Sequence, residues 1–370
     1  MDSRVTVVYA DREPMPGIIN PGSHQLFRNP RISVETRTLN ALHPEEIRVQ
    51  MCYAGICGTD VHLVDRNPDT GYIRCSAPLN IPIEGRVIGH EGVGKVIETG
   101  ASIRHVRTGD YVTFESIIIC HCCDMCRKGK FNQCRHAQLL GLETDGIFGS
   151  VVDVPGLAAH NVTNIIQEDN DIMSLACVEP AGVAYVACQN AVVSAGDIVV
   201  VFGAGPIGLF SAILCTTVFG ASTVYVVDPV AFRRRVAEKW SGHVYDTEEF
   251  FSDLPNDIDV VIESSGDLEN INKIFRNLNA NGRVVLLART GNHLALSAVD
   301  YMITNRISIT GSRGHLGGAY NDIFKLYRNM RFPLNAAITG VVNGGLELVN
   351  LLKSREAILY ENCKVLVKFE

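Results

Sequence analysis

The chain has 370 residues, 46% of them hydrophobic and 20% charged, with 33 Lys plus Arg against 40 Asp plus Glu for a net charge of −7. This is a globular composition that excludes wholesale disorder, and at roughly 150 residues per domain it predicts about two domains. A mildly acidic chain lacks the cationic excess that phosphate-backbone binding needs, which argues against nucleic acid, and no segment approaches the ~20 apolar residues that span a bilayer.

Taken in chain order, the opening MDSRVTVVYADREP has no cationic stretch ahead of an apolar run, so the expectation is a cytoplasmic protein without membrane contact. The first half is rich in Gly, Pro and β-branched residues with short apolar runs such as EEIRVQMCYAGI (45–56) and GVGKVIETGASI (92–103). These read as short strands and turns closing into a barrel-like β domain. After Gly196 the pattern changes. Strand-like DIVVVFGA (197–204) precedes helix-like PIGLFSAILCTTVFG (206–220), then strand STVYVVD (222–228) and helix PVAFRRRVAEKW (229–240). Strand IDVVIESSG (258–266), helix DLENINKIFRNL (267–278) and strands GRVVLLA (282–288) and RISITG (306–311) follow. That alternation predicts an α/β unit with a doubly wound parallel sheet. The end of the chain reads as a helix, AYNDIFKLYRNM (319–330), and a strand, CKVLVKF (363–369). It is too short to be a domain and is expected to dock back on the first.

Within the second half, Gly203, Gly205, Pro206, Ile207 and Gly208 lie in a G-x-G-x-x-G turn that ends a strand and opens a helix. The first Gly permits the tight turn, the second lets backbone approach a pyrophosphate, and the third lets helix pack on strand. The helix N-terminus then offers unpaired N–H groups to an anion. Asp228 closes the next strand twenty residues after Gly208. A carboxylate there accepts from both ribose hydroxyls and repels a 2′-phosphate, which favours NAD over NADP. Arg233, Arg234 and Arg235 nearby keep the phosphorylated cofactor open as an alternative.

Twelve cysteines without an export signal speak for metal rather than disulfides. Cys120, Cys123, Cys126 and Cys134 are spaced C-x2-C-x2-C-x7-C. Four thiolates able to converge tetrahedrally suit a structural zinc, with Cys122 and His121 as rival ligands and a metal-free reduced loop as the bland alternative. Isolated Cys188, Cys215 and Cys363 default to core packing.

GHEGVGKVIETGASI (89–103), GICGTDVH (55–62), the four-cysteine loop and the late GAGPIG together resemble the zinc-dependent medium-chain alcohol dehydrogenases over nearly the whole chain. Glu179 in VEPAG brings the resemblance nearest to the polyol and threonine dehydrogenase branch. It implies a GroES-like β-barrel catalytic domain over 1–179, a Rossmann NAD-binding domain over 180–317, and a return to the catalytic domain over 318–370. It also implies that Cys57, His90 and Glu179 hold a catalytic zinc, with Glu91 a nearby carboxylate that ligates or exchanges with water. Asp60 would orient the ligating His, Thr59 would take the substrate proton and His62 would carry it outward. Ile207, Asp228 and Arg233 match adenosine and pyrophosphate contacts, and Leu287, Ala288, Arg289, Ser312 and Arg313 the strand ends that border the nicotinamide.

The function so implied is oxidation of a secondary alcohol in a small polyol, sugar, aminocyclitol or threonine-like molecule, by a homodimer or homotetramer. Reduction of carbonyls with NADPH, or a zinc- and dinucleotide-binding protein without turnover, are the alternatives. Asp65, Glu84 and Glu115 are candidate anchors for a substrate amine. The stretch at 67–87 is longer than many relatives carry and is expected at the substrate mouth, and His315 in SRGHLGGAY reads as a cleft contact or a flexible-loop histidine.

Overall fold

The computed structural model describes residues 1–329 and 332–369. In chain order these form β1 (Asp2–Arg12), β2 (Phe27–Thr38), β3 (Glu46–Gly55), α1 (Gly58–Val64), β4 (Arg86–Val87), β5 (Glu91–Thr99), β6 (Tyr111–Phe114), β7 (Ile117–Ile118), α2 (Asp124–Arg127), β8 (Gln138–Leu139), β9 (Val151–Pro155), β10 (Ala159–Asn161), α3 (Asp169–Leu175) and α4 (Val178–Asn190). They continue as β11 (Ile198–Phe202), α5 (Pro206–Thr217), β12 (Thr223–Val227), α6 (Ala231–Ala237), β13 (His243–Tyr245), α7 (Thr247–Ser252), β14 (Ile258–Glu263), α8 (Glu269–Ile274), β15 (Leu278–Leu286), α9 (Val299–Thr304), β16 (Ser308–Gly311), α10 (Ala319–Arg328), β17 (Ile338–Asn343), α11 (Gly344–Lys353), α12 (Glu356–Tyr360) and β18 (Lys364–Lys368). Among the described residues no single helix is long and apolar enough to cross a membrane. Contacts divide the chain into one unit of Met1–Glu179, Ile338–Ile358 and Lys364–Glu370, and a second of Pro180–Ala337 and Leu359–Cys363.

The first unit is built on a sheet of order β10-β6-β5-β3-β18-β17, with β9 also pairing β3, and a second sheet of order β2-β1-β4. Along β3 the alternate residues Ile47, Val49 and Met51 are buried in one core with Phe114, Phe148 and Leu348, as a period-2 pattern requires. Register shifts between Arg48 and Val49 and between Met51 and Tyr53 add the local twist that curls the sheet. Gly55, the last residue of β3, is paired with Glu91 on β5 and with Leu366 on β18. The chain's C-terminal strand therefore lies beside two early ones.

In the second unit six parallel strands run in the order β13-β12-β11-β14-β15-β16. Val199, Val200 and Val201 on β11 and Val260, Val261 and Ile262 on β14 are all buried, so both sheet faces are covered. The order reverses between β11 and β14, which puts the switch-point crevice at the carboxyl ends of Phe202 and Glu263.

The C-terminal return begins later than the expected 318. Ala319 to Ala337 belong to the second unit, because Tyr320, Ile323 and Phe324 of α10 are buried, the Tyr320 ring packs against that of His315 with centroids 5.0 Å apart and planes tilted by 35°, and Asp322 accepts from the Tyr185 hydroxyl at 3.1 Å. Met330, at the end of the expected helix, lies outside the described residues. His315 is fully buried; a Cβ on Gly182 would meet its own Cβ at 3.0 Å, so it is a packed side chain and not one in a flexible loop. The 67–87 stretch is folded onto the first unit, with Tyr72, Ile73, Cys75 and Ile81 buried and Ile83 exposed.

Candidate metal centres and dinucleotide turn

The β3–α1 junction positions the first cluster. Cys57 is the N-cap of α1, and the Asp60 carboxylate, three residues on, accepts from the Cys57 N–H through Oδ2 at 2.9 Å. This capping arrangement satisfies an otherwise orphaned helix donor and locks the Cys57 backbone. His90 and Glu91 arrive at the start of β5. Sulfur of Cys57, a ring nitrogen of His90 and a carboxylate oxygen of Glu91 all lie within 4.8 Å of one another. Asp60, His90 and Glu91 are buried.

His90 Nδ1 and Asp60 Oδ1 are 3.8 Å apart, and both are buried without a hydrogen-bond partner. Buried polar groups are ordinarily paired. One thiol, one imidazole and one carboxylate form an N/S/O donor set suited to a divalent cation with an open position. The two orphaned atoms mark where the imidazole's far nitrogen would meet a carboxylate once the near one is engaged. Burial keeps the Cys57 thiol above its usual value, with the Glu91 charge adding to the effect; a cation would reverse that.

Glu179 is outside this compact trio. Its Oε1 accepts from the Ser116 hydroxyl at 2.8 Å, and burial, followed by the nearby Glu91 charge, pushes its carboxyl up to about 7. Thr59 Oγ1 lies 3.7 Å from the Cys57 sulfur. Partial desolvation holds the His62 imidazole below its ordinary value, so it is neutral and able to accept a proton at neutral pH. Of the acidic candidates for an amine contact, Asp65 is ion-paired with Arg74 and Arg355, and Glu115 with His160 at 3.1 Å.

Two residues of this region were not singled out in the sequence. Ser116 is one, and Lys364 is the other. The Lys364 ammonium is buried, bonds to the Ile56 carbonyl at 3.0 Å and is ion-paired with Glu91 Oε2. The available signal was a lysine opening the apolar strand run KVLV, which alternation alone does not separate from its exposed counterpart Lys368.

The second cluster is local. The sulfurs of Cys120, Cys123, Cys126 and Cys134 are all within 4.8 Å of one another, with Cys120–Cys134, Cys123–Cys126 and Cys123–Cys134 separations of 3.5, 3.6 and 3.9 Å. Tetrahedral zinc with Zn–S near 2.3 Å requires sulfur separations of about 3.8 Å, so the four fit such an ion. Backbone N–H groups of Cys122 and Cys123 hold the Cys120 thiol down to about 6, and a paired Arg135–Asp124 contact braces the loop. Cys122 is exposed, outside the four. His121 sits at φ 56°, in the left-handed region, and is not among the four converging side chains.

At the dinucleotide turn each glycine has a separate reason. Gly203 has φ 93°, and a Cβ on Gly208 would lie 1.8 Å from the Gly203 carbonyl. The nearest atom to a Cβ on Gly205 is Arg233 Nη1, at 3.8 Å. Gly205 caps α5 with Pro206 at its first turn, a position where the missing N–H costs nothing, and the Ile207 carbonyl accepts from Ser211 Oγ at 2.8 Å. Asp228 is buried, its Oδ2 accepting from the Ala204 N–H and its Oδ1 from the Val230 N–H, each at 2.7 Å. It therefore holds the turn itself, besides any ribose. Arg233 Nε donates to the Asn362 carbonyl at 3.3 Å. Leu287–Arg289 and Ser312–Arg313 follow β15 and β16, with Leu287 N–H on the Glu263 carbonyl and Ser312 N–H on that of Leu286, both at 2.9 Å.

The chain is similar to known proteins over most of its length. Residues 43–164 match the alcohol dehydrogenase GroES-like domain family, and residues 206–330 the zinc-binding dehydrogenase family. The chain is 30% identical over 330 residues to scyllo-inosose 3-dehydrogenase of Thermotoga maritima, covering 82% of each chain. It is 29% identical over 312 residues to L-threonine 3-dehydrogenase of Pyrococcus furiosus, covering 81% of this chain and 85% of that one. A Thermotoga maritima structure provisionally assigned as an alcohol dehydrogenase superimposes with a TM-score of 0.87 at 25% identity, covering 99% of this chain and 100% of that one. With its GroES-like and Rossmann domains, the chain belongs to the zinc-containing medium-chain alcohol dehydrogenase family of oxidoreductases, in the branch of the polyol and threonine dehydrogenases.

Proposed function

We propose that this protein oxidises a secondary alcohol of a small polyhydroxylated or amino-substituted molecule to the ketone, with NAD as partner and zinc in both clusters. The observation that carries the reading is the buried trio Cys57, His90 and Glu91, with the orphaned His90 Nδ1 turned toward Asp60. Its support from relatives is their substrates, a cyclic polyol ketone and an amino alcohol.

Cys57, His90 and Glu91 would hold the reactive zinc, with Glu179 the further carboxylate within electrostatic reach; Cys120, Cys123, Cys126 and Cys134 would hold the structural one. When bound, zinc supplies Lewis acidity toward the alcohol oxygen and the nicotinamide supplies the hydride acceptor. The chain's own part is proton handling and orientation. Thr59, beside Cys57, would accept the hydroxyl proton while giving up its own, and the His62 imidazole, held below its ordinary value, would accept the released proton and pass it to solvent. Asp60 fixes the α1 N-terminus and faces the far nitrogen of His90.

On the cofactor side, Gly205, the α5 N-terminus and Arg233 would take the pyrophosphate. A cleft of about 560 Å³ past Asp228, lined by Pro229, Val230, Phe232, Arg235 and Tyr360, would receive the flat adenine. Asp228 favours NAD over NADP by its charge, and Leu287, Ala288, Arg289, Ser312 and Arg313 would border the nicotinamide. All twelve cysteines are free, in keeping with a cytoplasmic setting. Exposed Val299 and Ile303, on the helix ahead of edge strand β16, are the surface we assign to a homodimer or homotetramer.

The test is metal analysis of the purified protein beside a panel of polyols, aminocyclitols and amino alcohols, followed at the NADH band with each cofactor. Two zinc equivalents and turnover with NAD are expected. A metal-replete protein that oxidises no secondary alcohol with either cofactor would leave only a binding protein.

A further inference from the structure

Lys364 is nearly inaccessible, 1% exposed, and reaches Glu91 across a sequence separation of 273 residues. A buried ammonium is costly unless paired and hydrogen-bonded, and this one is both. Its partners are Glu91 Oε2 and the Ile56 carbonyl. The pair has space made for it: a Cβ on Gly55 would lie 2.7 Å from Glu91 Oε2 and 2.7 Å from Lys364 Cε. The ion pair divides the two oxygens of Glu91. Oε2 is taken by Lys364, whereas Oε1 lies 3.9 Å from His90 Nε2, on the side of the trio.

The surrounding charge gives this division a consequence. Four acidic side chains, Cys57, Asp60, Glu91 and Glu179, are gathered in one region around His90, and Lys364 sets an ammonium against Glu91 within it. We infer that Lys364 is a positioning residue for the trio: it anchors Glu91 by one oxygen, keeping that carboxylate from closing fully on the cation and leaving the remaining coordination position to substrate. The inference rests on the reading of Cys57, His90 and Glu91 as a divalent-cation site. In low dielectric a neighbouring ammonium also weakens the hold on a dication, so removal of Lys364 tightens metal binding while impairing exchange of Glu91 for substrate oxygen.

The experiment measures Zn(II) affinity by chelator competition, for the metal equivalent that Cys57→Ser loses, in the wild type, Lys364→Met, Glu91→Gln and the double variant. Lys364→Met is expected to bind Zn(II) at least 5-fold more tightly, and the gain is expected to shrink by more than half when Glu91 is already Gln. With Co(II) in the site, the visible absorption of Lys364→Met falls as coordination number rises, and the double variant restores it. Lys364→Gln, which keeps a donor for the Ile56 carbonyl, carries the same comparison where the Met variant fails to fold. An equal gain in both Glu91 backgrounds makes Lys364 a distant charge only, and an unchanged or weaker affinity removes it from the site; either result overturns the inference. A wild type without that metal equivalent overturns instead the metal reading beneath it.

Discussion

His90 Nδ1 faces Asp60 Oδ1 across 3.8 Å of buried space, and neither atom has another hydrogen-bond partner. A ligating imidazole whose second nitrogen meets a carboxylate is held in one orientation and made more basic. Asp60 also caps α1, so two roles must be separated. Asp60→Asn keeps an acceptor for the Cys57 N–H and removes the charge; it is expected to lower Zn(II) affinity at this site by about 10- to 100-fold with little change in melting temperature. Asp60→Ala adds the loss of the cap, worth about 1 kcal/mol. Chelator competition beside thermal unfolding separates the two, and an Asn variant that retains zinc as the wild type does would refute the orienting role.

The cysteine loop makes a different prediction, because two of its four converging cysteines, Cys120 and Cys123, are only partly buried. Of the four sulfurs only those of Cys126 and Cys134 belong to buried residues. Cys126→Ser is expected to remove one of two zinc equivalents and lower the melting temperature, while the equivalent at Cys57 survives. Metal content by mass spectrometry checks this. A variant with both equivalents in place excludes these four as ligands, since serine replaces thiolate poorly in a closed zinc site.

The glycines of the dinucleotide turn can be told apart by substitution. Gly205→Ala adds a methyl group whose nearest neighbour is the movable Arg233 guanidinium at 3.8 Å, on a backbone with ordinary φ of −67°. It is expected to leave the unfolding free energy within about 1 kcal/mol of the wild type and yet weaken NAD at least tenfold, because it fills the space a pyrophosphate needs. Gly208→Ala forces a Cβ to 1.8 Å from the Gly203 carbonyl and is expected to cost the fold directly. Calorimetric titration with NAD and thermal unfolding give both numbers; undiminished NAD binding by Gly205→Ala sinks this assignment.

These contrasts also explain what could be read from the chain. The turn at Gly203–Gly208 and the loop at Cys120–Cys134 are local, so their spacing carries the geometry. β11, β12 and β14 are apolar runs long enough to declare themselves, whereas β13 is three residues, His243–Tyr245, below what alternation can reveal. Ser116 is separated from Glu179 by 63 residues and Lys364 from Glu91 by 273; only the pairing of β3 with both β5 and β18 brings the latter two together. The placement of α10 failed for a related reason. Its apolar face, Tyr320, Ile323 and Phe324, announces burial but not which unit supplies the other side.

Glu263 yields a prediction about pH. It ends β14 at the switch point, where its Oε1 accepts from the Ser265 N–H, the Ser265 hydroxyl and the Gly266 N–H at 2.6, 2.8 and 2.6 Å. Its Oε2 is buried with no hydrogen-bond partner. Burial, outweighing those donors, raises its carboxyl from 4.5 to about 7. Above 4.5 the unfolded chain has lost this proton while the folded chain still holds it, so stability falls as pH climbs from 4.5 to 7 and is level in this respect beyond. A displacement from 4.5 to about 7 corresponds to roughly 3 kcal/mol at most. Glu263→Gln keeps an acceptor for the Ser265 and Gly266 donors and has no proton to lose. Its melting temperature is expected to exceed that of the wild type at pH 8, with the difference closing as pH approaches 5. Thermal unfolding across that range decides the matter: parallel profiles for the two proteins would mean that Glu263 is already ionised in the folded state at pH 5.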